Sequence, residues 1–227
     1  MKISDQKARR RFVERYPVQK LFSAPVEELL EVHVYKKGEY ICDELMAPER
    51  LYFLVKGRVK LYMIHQDGNI SLAQYYEAGD ILGELEFLGI RTRSQSIQAV
   101  EESVCLALSF KEYGELILSD PVFLRNLSRQ IAEKMLRIVG KLVATQTYPL
   151  ENRMAACLLE KEVEAVGEGW IKVSLTDLAQ YLGASYRHLS RVIKHFDEEG
   201  WIERDRGRIR IRSHEALEAK VSQMRIE

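Results

Sequence analysis

Between Ser174 and Phe196 the apolar residues fall into two short stripes separated by one glycine. In SLTDLAQYLG, Leu175, Leu178, Ala179 and Leu182 follow helical spacing, and Ser174 with Asp177 has the form of a helix start. In SYRHLSRVIKHF, Leu189, Val192, Ile193 and Phe196 fall at i, i+3, i+4 and i+7. Ser185 stands where an N-cap oxygen would accept a bond from a free N–H of the first turn. Gly183 suits the turn between them, because a residue without Cβ reaches φ > 0. The pattern predicts a helix-turn-helix whose second helix turns Tyr186, Arg187, Ser190, Arg191 and Lys194 away from its apolar stripe. A charged face is common on surface helices, so the helix alone leaves open whether that face has a partner.

The next residues favour a partner. Gly200 marks a helix stop, and WIERDRGRIRIR reads as a strand from Trp201 to Arg204, a turn at Asp205-Arg206-Gly207 and a second strand. In RIRIR the arginines alternate with Ile209 and Ile211, which makes one face apolar and the other basic. Arg204, Arg206, Arg208, Arg210 and Arg212 suit contact with phosphates. Residues 186–212 hold eight Lys/Arg against five Asp/Glu, whereas the whole chain balances 34 against 34. The basic character is therefore local, as expected of a chain that docks one surface on DNA.

The length of 227 residues suits one large or two small domains with the composition of a globular protein. No apolar run is long enough to suggest a membrane span. MKISDQKARRRFVERY is basic without an apolar centre and reads as a short helix, not a secretory signal. Cys42, Cys105 and Cys157 lie far apart, without zinc spacing, and suit small buried residues in a reducing cytoplasm.

Residues from about 34 to 110 read as β-rich, with Lys56-Gly57, Asp67-Gly68 and Gly79-Asp80 as punctuation. Asp67-Gly68 between KLYMI and ISLAQYY predicts a two-residue hairpin, and SIQAVEESVCLALSF another strand pair. Strands at this spacing predict a small sandwich or barrel. From Ser119 to Thr147 the period changes. Ile131, Met135, Ile138, Leu142 and Thr145 step by alternate fours and threes, the seam of a two-helix coiled coil. Arg129, Glu133, Lys134, Arg137 and Lys141 are expected on the other face, and Pro149 marks a hinge before a further helix in ENRMAACLLEKEVEAV.

This order of parts resembles the Crp/Fnr family of bacterial transcription regulators, over nearly the whole chain from about Phe22 to Ile211. The motifs are KKGEYI, LYFLVKGRVKLY and GDILGELEFLGIRTRS in the first half and SLTDLAQYLGASYRHLSRVIKHFDEEGWIERDRGRIRI in the second. IQAVEESVCLAL, PLENRMAACLL and AQYLGASYRHL look most like the YeiL-type members of the family. The resemblance implies an α+β architecture. Residues 1–118 would form a jelly-roll-like β-roll sensor domain, residues 119–147 a dimerisation helix through Ile131, Met135, Ile138 and Leu142, and residues 148–227 a winged helix-turn-helix. It also implies a cytoplasmic homodimer on double-stranded DNA, with RNA polymerase as a protein partner and no membrane association.

At the DNA face the resemblance assigns Arg191 to a guanine through O6 and N7. Ser190-Arg191 matches the oxygen-sensing branch. Arg187 stands where the best-known members carry an acid, so it cannot accept from cytosine N4 and the half-site should differ. Tyr186 would meet a thymine methyl or a phosphate, and Ser185, Lys194, Arg206 and Arg208 complete the expected surface. In members that sense cyclic AMP, a Gly-Glu-Leu segment followed by Arg-Ser binds the ribose and cyclic phosphate. The matching residues are Gly83, Glu84, Leu85, Arg93 and Ser94. The loop is one residue shorter here, Gln95 replaces a small apolar residue, and Leu45 replaces a family glycine. Ile138 and Val139 stand where those sensors carry Thr-Ser for the adenine, and their side chains cannot hydrogen-bond a base. Cyclic AMP is thus expected to bind weakly or not at all, and the reading opposed to a working cyclic AMP site is that Glu84 and Arg93 form a structural ion pair in a pocket emptied or repurposed. Three scattered cysteines do not make an iron–sulfur site, and His33 and His65 are isolated, so the effector is unknown. A nucleotide-binding module acting on a protein is a second reading. A metal-dependent barrel enzyme is a third, weakened by the lack of clustered ligands or any catalytic constellation.

Overall fold

The computed structural model describes residues 2–3, 6–43, 49–64, 70–90, 95–163 and 169–224. They divide into two compact units, Met1–Leu136 and Arg137–Glu227. Asp67-Gly68, His65, Leu45, Arg93 and Ser94 lie outside the described residues.

The first unit begins with β1 (Lys2–Ile3) and α1 (Gln6–Arg15), then two single-turn 3-10 helices at Val18–Leu21 and Glu27–Leu29. The strands follow as β2 (Glu31–Tyr35), β3 (Tyr40–Cys42), β4 (Arg50–Lys56), β5 (Arg58–Ile64), β6 (Ile70–Glu77) and β7 (Ile81–Leu82). After α2 (Glu84–Phe87) come β8 (Gln95–Ala99), β9 (Ser103–Ser109), α3 (Phe110–Leu118) and α4 (Pro121–Thr147). One sheet has the order β1-β2-β9-β4-β7 and the other β3-β8-β5-β6. Strands β5 and β6 pair antiparallel with Ile64 opposite Ile70, and the connection expected to turn at Asp67-Gly68 lies outside the described residues.

Strand β9 is buried throughout because both its faces are covered. Val104, Leu106 and Leu108 join Leu51, Phe53 and Val55 of β4 in a core closed by Phe22, Phe123 and Leu127. Cys105 and Ala107 face the second sheet, with Tyr52, Leu54, Val59, Tyr76 and Ile97. A strand covered on both faces reads as a continuous apolar run, not as an alternation. Gly57 carries the chain from one sheet to the other at φ +88.

Helix α4 is fixed at its start by Asp120. Its Oδ1 accepts from the N–H groups of Val122 and Phe123 at 2.9 and 3.0 Å, and its Oδ2 from those of Ser23 and Ala24 at 2.7 and 2.8 Å. Phe123 stacks on Phe22, with ring centroids 4.4 Å apart. Two expectations for α4 need correction. Ile131 is not simply a seam residue, because it packs partly buried against the first core. Lys134 is buried, not on a solvated face, and Lys141 is half-buried. Both lysine stems are long enough to reach across to neighbouring elements, which sequence spacing does not reveal.

The second unit holds the end of α4, then α5 (Leu150–Val163), β10 (Trp170–Lys172), α6 (Leu175–Tyr181), α7 (Tyr186–Glu198), β11 (Ile202–Asp205), β12 (Arg208–Ile211) and α8 (His214–Ser222). The strands form one sheet in the order β10-β12-β11. Its core gathers Met154 and Leu158 of α5, Leu178 of α6, the α7 stripe, Ile202, Ile209, Ile211 and Leu217. Strand β10 was not expected from the sequence, since three residues are too few to show a period. No helix among the described residues is long and apolar enough to cross a membrane.

Candidate nucleic-acid interface and effector pocket

Both helices of the expected pair are capped by their own serines. Ser174 Oγ accepts from Asp177 N–H at 3.3 Å, and Ser185 Oγ accepts from His188 N–H at 3.2 Å. Gly183 lies between them at φ +62. Leu189, Val192, Ile193 and Phe196 of α7 are buried, so Arg187, Arg191 and Lys194 project on the opposite side. Arg187 and Arg191 are exposed and make no ion pair among the described residues, while Lys194 pairs with Glu198 at 3.2 Å. Tyr186 is exposed at the helix start and Ser190 is half-buried on its flank.

The wing is less uniformly basic than the arginine count suggests. Trp170, Arg210 and Glu203 form one row across β10, β12 and β11. Glu203 Oε2 accepts from Arg210 Nη2 at 2.6 Å and also meets Arg212, and Arg210 lies 4.7 Å over the Trp170 ring. The Arg210 hydrogen bond outweighs partial desolvation and holds the Glu203 carboxyl below its ordinary range. Arg208 pairs with Asp205 and lies 5.0 Å over the same ring. Arg204 and Arg206 are exposed and have no ion pair among the described residues. Arg206 adopts φ +34 at the wing tip, beside Gly207 at φ +81.

In the first unit Gly83, at φ 83, turns the chain into α2 and buries Glu84 at its first position. Leu85 is half-buried beside it. Glu84 is 8% exposed, and its Oε1 accepts from Lys134 Nζ at 2.6 Å. Lys134 is 5% exposed, also donates to Ile81 O, and lies 4.5 Å over the Tyr76 ring. One turn earlier, Gln130 accepts from Ile81 N–H at 3.2 Å and donates to Gly79 O at 2.8 Å. The ion-pair partner of Glu84 among the described residues is thus Lys134. Sequence reasoning missed Gln130 and Lys134, although their spacing of four put them on one helix face. Ile138 and Val139 are 49% and 47% exposed on α4.

Other polar groups of the β region are accounted for locally. His33 Nε2 lies 3.0 Å from Glu31, and its Nδ1 lies 3.4 Å from the Tyr35 hydroxyl. Burial pushes the Cys105 thiol up to about 12. Burial, then the charges of Glu86, Cys105 and Glu84, raises Cys42 well above the ordinary thiol range.

Comparison with known proteins agrees with both halves of this description. Residues 32–120 match the cyclic nucleotide-binding domain model, and residues 152–220 match the Crp-like helix-turn-helix domain model. The chain is 37% identical over 163 residues to Regulatory protein YeiL of Escherichia coli O157:H7, covering 71% of this chain and 72% of that one. It is 28% identical over 185 residues to the Cyclic AMP receptor protein of Thermus thermophilus, covering 82% and 85%. The fold is shared with two solved transcriptional regulators of Thermus thermophilus. One, of the CRP/FNR family, gives a TM-score of 0.71 at 23% identity, covering 84% of this chain and 98% of that one. The other, of the CRP family, gives 0.72 at 23% identity, covering 84% and 96%.

Proposed function

This chain belongs to the Crp/Fnr family of DNA-binding transcription regulators, and on that premise we propose that it works in the cytoplasm as a homodimer on a pseudo-palindromic site. The observation that carries the reading is α7, capped at its start, buried along one stripe and carrying Arg187, Arg191 and Lys194 opposite it. A helix so held can enter the major groove with its N-terminal residues toward base edges. Arg191 reads a guanine by a two-pronged bond to O6 and N7. Arg187 offers donors where an acid would accept, and Tyr186 meets a thymine methyl or a phosphate. Ser185, Ser190, Lys194, Arg206 and Arg208 position the protein on the backbone.

The second copy covers α4. Met135, Ile138 and Leu142 are 58%, 49% and 55% exposed in the single chain, with Leu136, Val139 and Val143 exposed beside them. Pairing along this stripe buries apolar surface and spaces two α7 helices roughly 34 Å apart, one turn of B-DNA. An effector of unidentified chemistry acts on the β-roll and reaches the DNA helices through α4, with RNA polymerase as the partner of the bound dimer. Cyclic AMP is not that effector. Glu84 is already engaged by Lys134, and Ile138 and Val139 leave the purine edge without a side-chain partner.

Selection of binding sites from a random DNA pool with the full-length protein tests this. An inverted repeat is expected, and no enrichment over a neutral control protein would refute the reading. Calorimetry tests the effector statement. Sub-micromolar cyclic AMP affinity, abolished by Arg93→Ala, would overturn it.

A further inference from the structure

The last turns of α4 pack on the turn that aims the recognition helix. Lys141 Nζ lies 4.4 Å over the ring of Tyr181, the final residue of α6. One turn on, Thr145 stands against Gly183. A Cβ on Gly183 would meet Thr145 Cγ2 at 3.3 Å, closer than an ordinary van der Waals contact. Thr145 Oγ1 donates to Lys141 O at 2.8 Å, which fixes that methyl group toward the turn. From α5, Arg153 Nε donates to Tyr148 O at 3.2 Å, and its Nη1 donates to Leu182 O. The pair Leu182-Gly183 is therefore held by groups on both sides of Pro149, and Arg153 itself spans the Tyr148-Pro149 link.

Gly140 lies one residue before this packing begins. A Cβ there would meet nothing within 4 Å, so no close approach within the chain demands glycine. In the seam set by Met135, Ile138 and Leu142 it also points away from a paired helix. What glycine does at such a place is weaken the helix locally. The compact unit that contains α6 and α7 begins at Arg137, close to this point.

We propose that Lys141–Thr147 is a structural part of the DNA-reading unit, that Lys141, Thr145 and Arg153 are positioning residues for the recognition helix, and that α4 yields at Gly140 while the link at Pro149 stays fixed. A twist of α4 beyond Gly140 is then delivered directly to residues 182–183 and to the start of α7. The inference rests on α7 being the helix that reads DNA.

The test is a full-length Thr145→Cys, Gly183→Cys protein, its affinity for the selected site compared between oxidised and reduced forms, with wild type treated alike. The contact predicts a crosslink that changes affinity by less than about threefold, since the two segments move together. A larger change on oxidation shows that they must part, and overturns the proposal. Failure of wild type to bind DNA would instead refute the reading of α7. If the crosslink does not form, hydrogen exchange on wild type decides. Amides 141–144, whose helical bonds span Gly140, should exchange faster than amides 145–148. The opposite order, fraying toward Pro149, overturns the proposal.

Discussion

Lys134 Nζ lies 2.6 Å from Glu84 Oε1, and both side chains are almost wholly buried. The pair ties the middle of α4 to the first residue of α2. With Gln130 one turn earlier bonded to Gly79 and Ile81, it fixes the β6–β7 turn and the start of α2 to one face of α4.

Breaking this pair from one side should be costly. Lys134→Met leaves a buried carboxylate without its counter-charge, and the expected loss is about 3–5 kcal/mol in urea unfolding. Lys134→Met with Glu84→Gln should recover most of it, because two neutral side chains of similar shape carry no stranded charge. Equal losses for the single and double variants would show that packing, not charge, holds this corner.

Ile131 and Ile138 should part company although they hold the same position in successive heptads. Ile138→Glu is expected to give a folded monomer in sedimentation, because that side chain is half exposed in the single chain. Ile131→Glu should lower the melting temperature, because Ile131 packs against the first core. A dimer that survives Ile138→Glu would remove α4 as the seam.

The arginines of the DNA face should separate into three behaviours. Arg191→Ala should cost about 1–3 kcal/mol at one base pair and relax the preference there. Arg206→Ala should weaken all sequences alike and reduce the salt slope by about one unit. Arg208→Ala should reduce that slope less, since Asp205 and Trp170 already hold its guanidinium. Arg206→Gly should stabilise the fold by about 1 kcal/mol while weakening DNA binding, because glycine relieves the left-handed backbone that arginine occupies at φ +34. Affinity across a salt series and thermal melts read these outcomes.

Asp120 should give the fold a measurable acid sensitivity. Desolvation would raise its carboxyl, but the N–H groups of Ala24, Phe123 and Ser23 outweigh it and hold the pKa at about 2. The unfolded value is about 3.9. Because folding depresses the pKa, the stabilisation is complete above the unfolded value and disappears as pH falls through the folded one. The stability difference between wild type and Asp120→Asn should therefore be constant above about pH 5 and shrink steadily as pH falls to about 2. A difference that stays constant down to pH 2 would mean that the charge contributes nothing.

The two helices around Gly183 were legible because each carries its own cap and a stripe of at least four apolar residues, and both signals are local. The two-faced burial of β9 was legible as a run of apolar residues, although which sheet covers which face was not. Lys134 could not be placed, because a lysine on a helix surface and one reaching into a β-roll have the same spacing. The wing pairings were hidden for a related reason. Glu203 and Arg210 are seven residues apart, and only the register of β11 on β12 makes them neighbours. Arg93 and Ser94 lie outside the described residues.

Gly57 joins the two sheets at a point closed to variation. A Cβ there would lie 2.6 Å from Glu102 O and 2.6 Å from Ser103 Oγ, in a backbone conformation that L side chains seldom adopt. Gly79 and Gly89 share the positive φ, but each would have open space for a Cβ. In a saturation library selected for folded protein, position 57 should therefore return glycine alone, while positions 79 and 89 should admit asparagine and other residues that tolerate the left-handed region. Lineages descending from this sequence would then diverge in the loops around the β-roll while remaining locked at that one crossing.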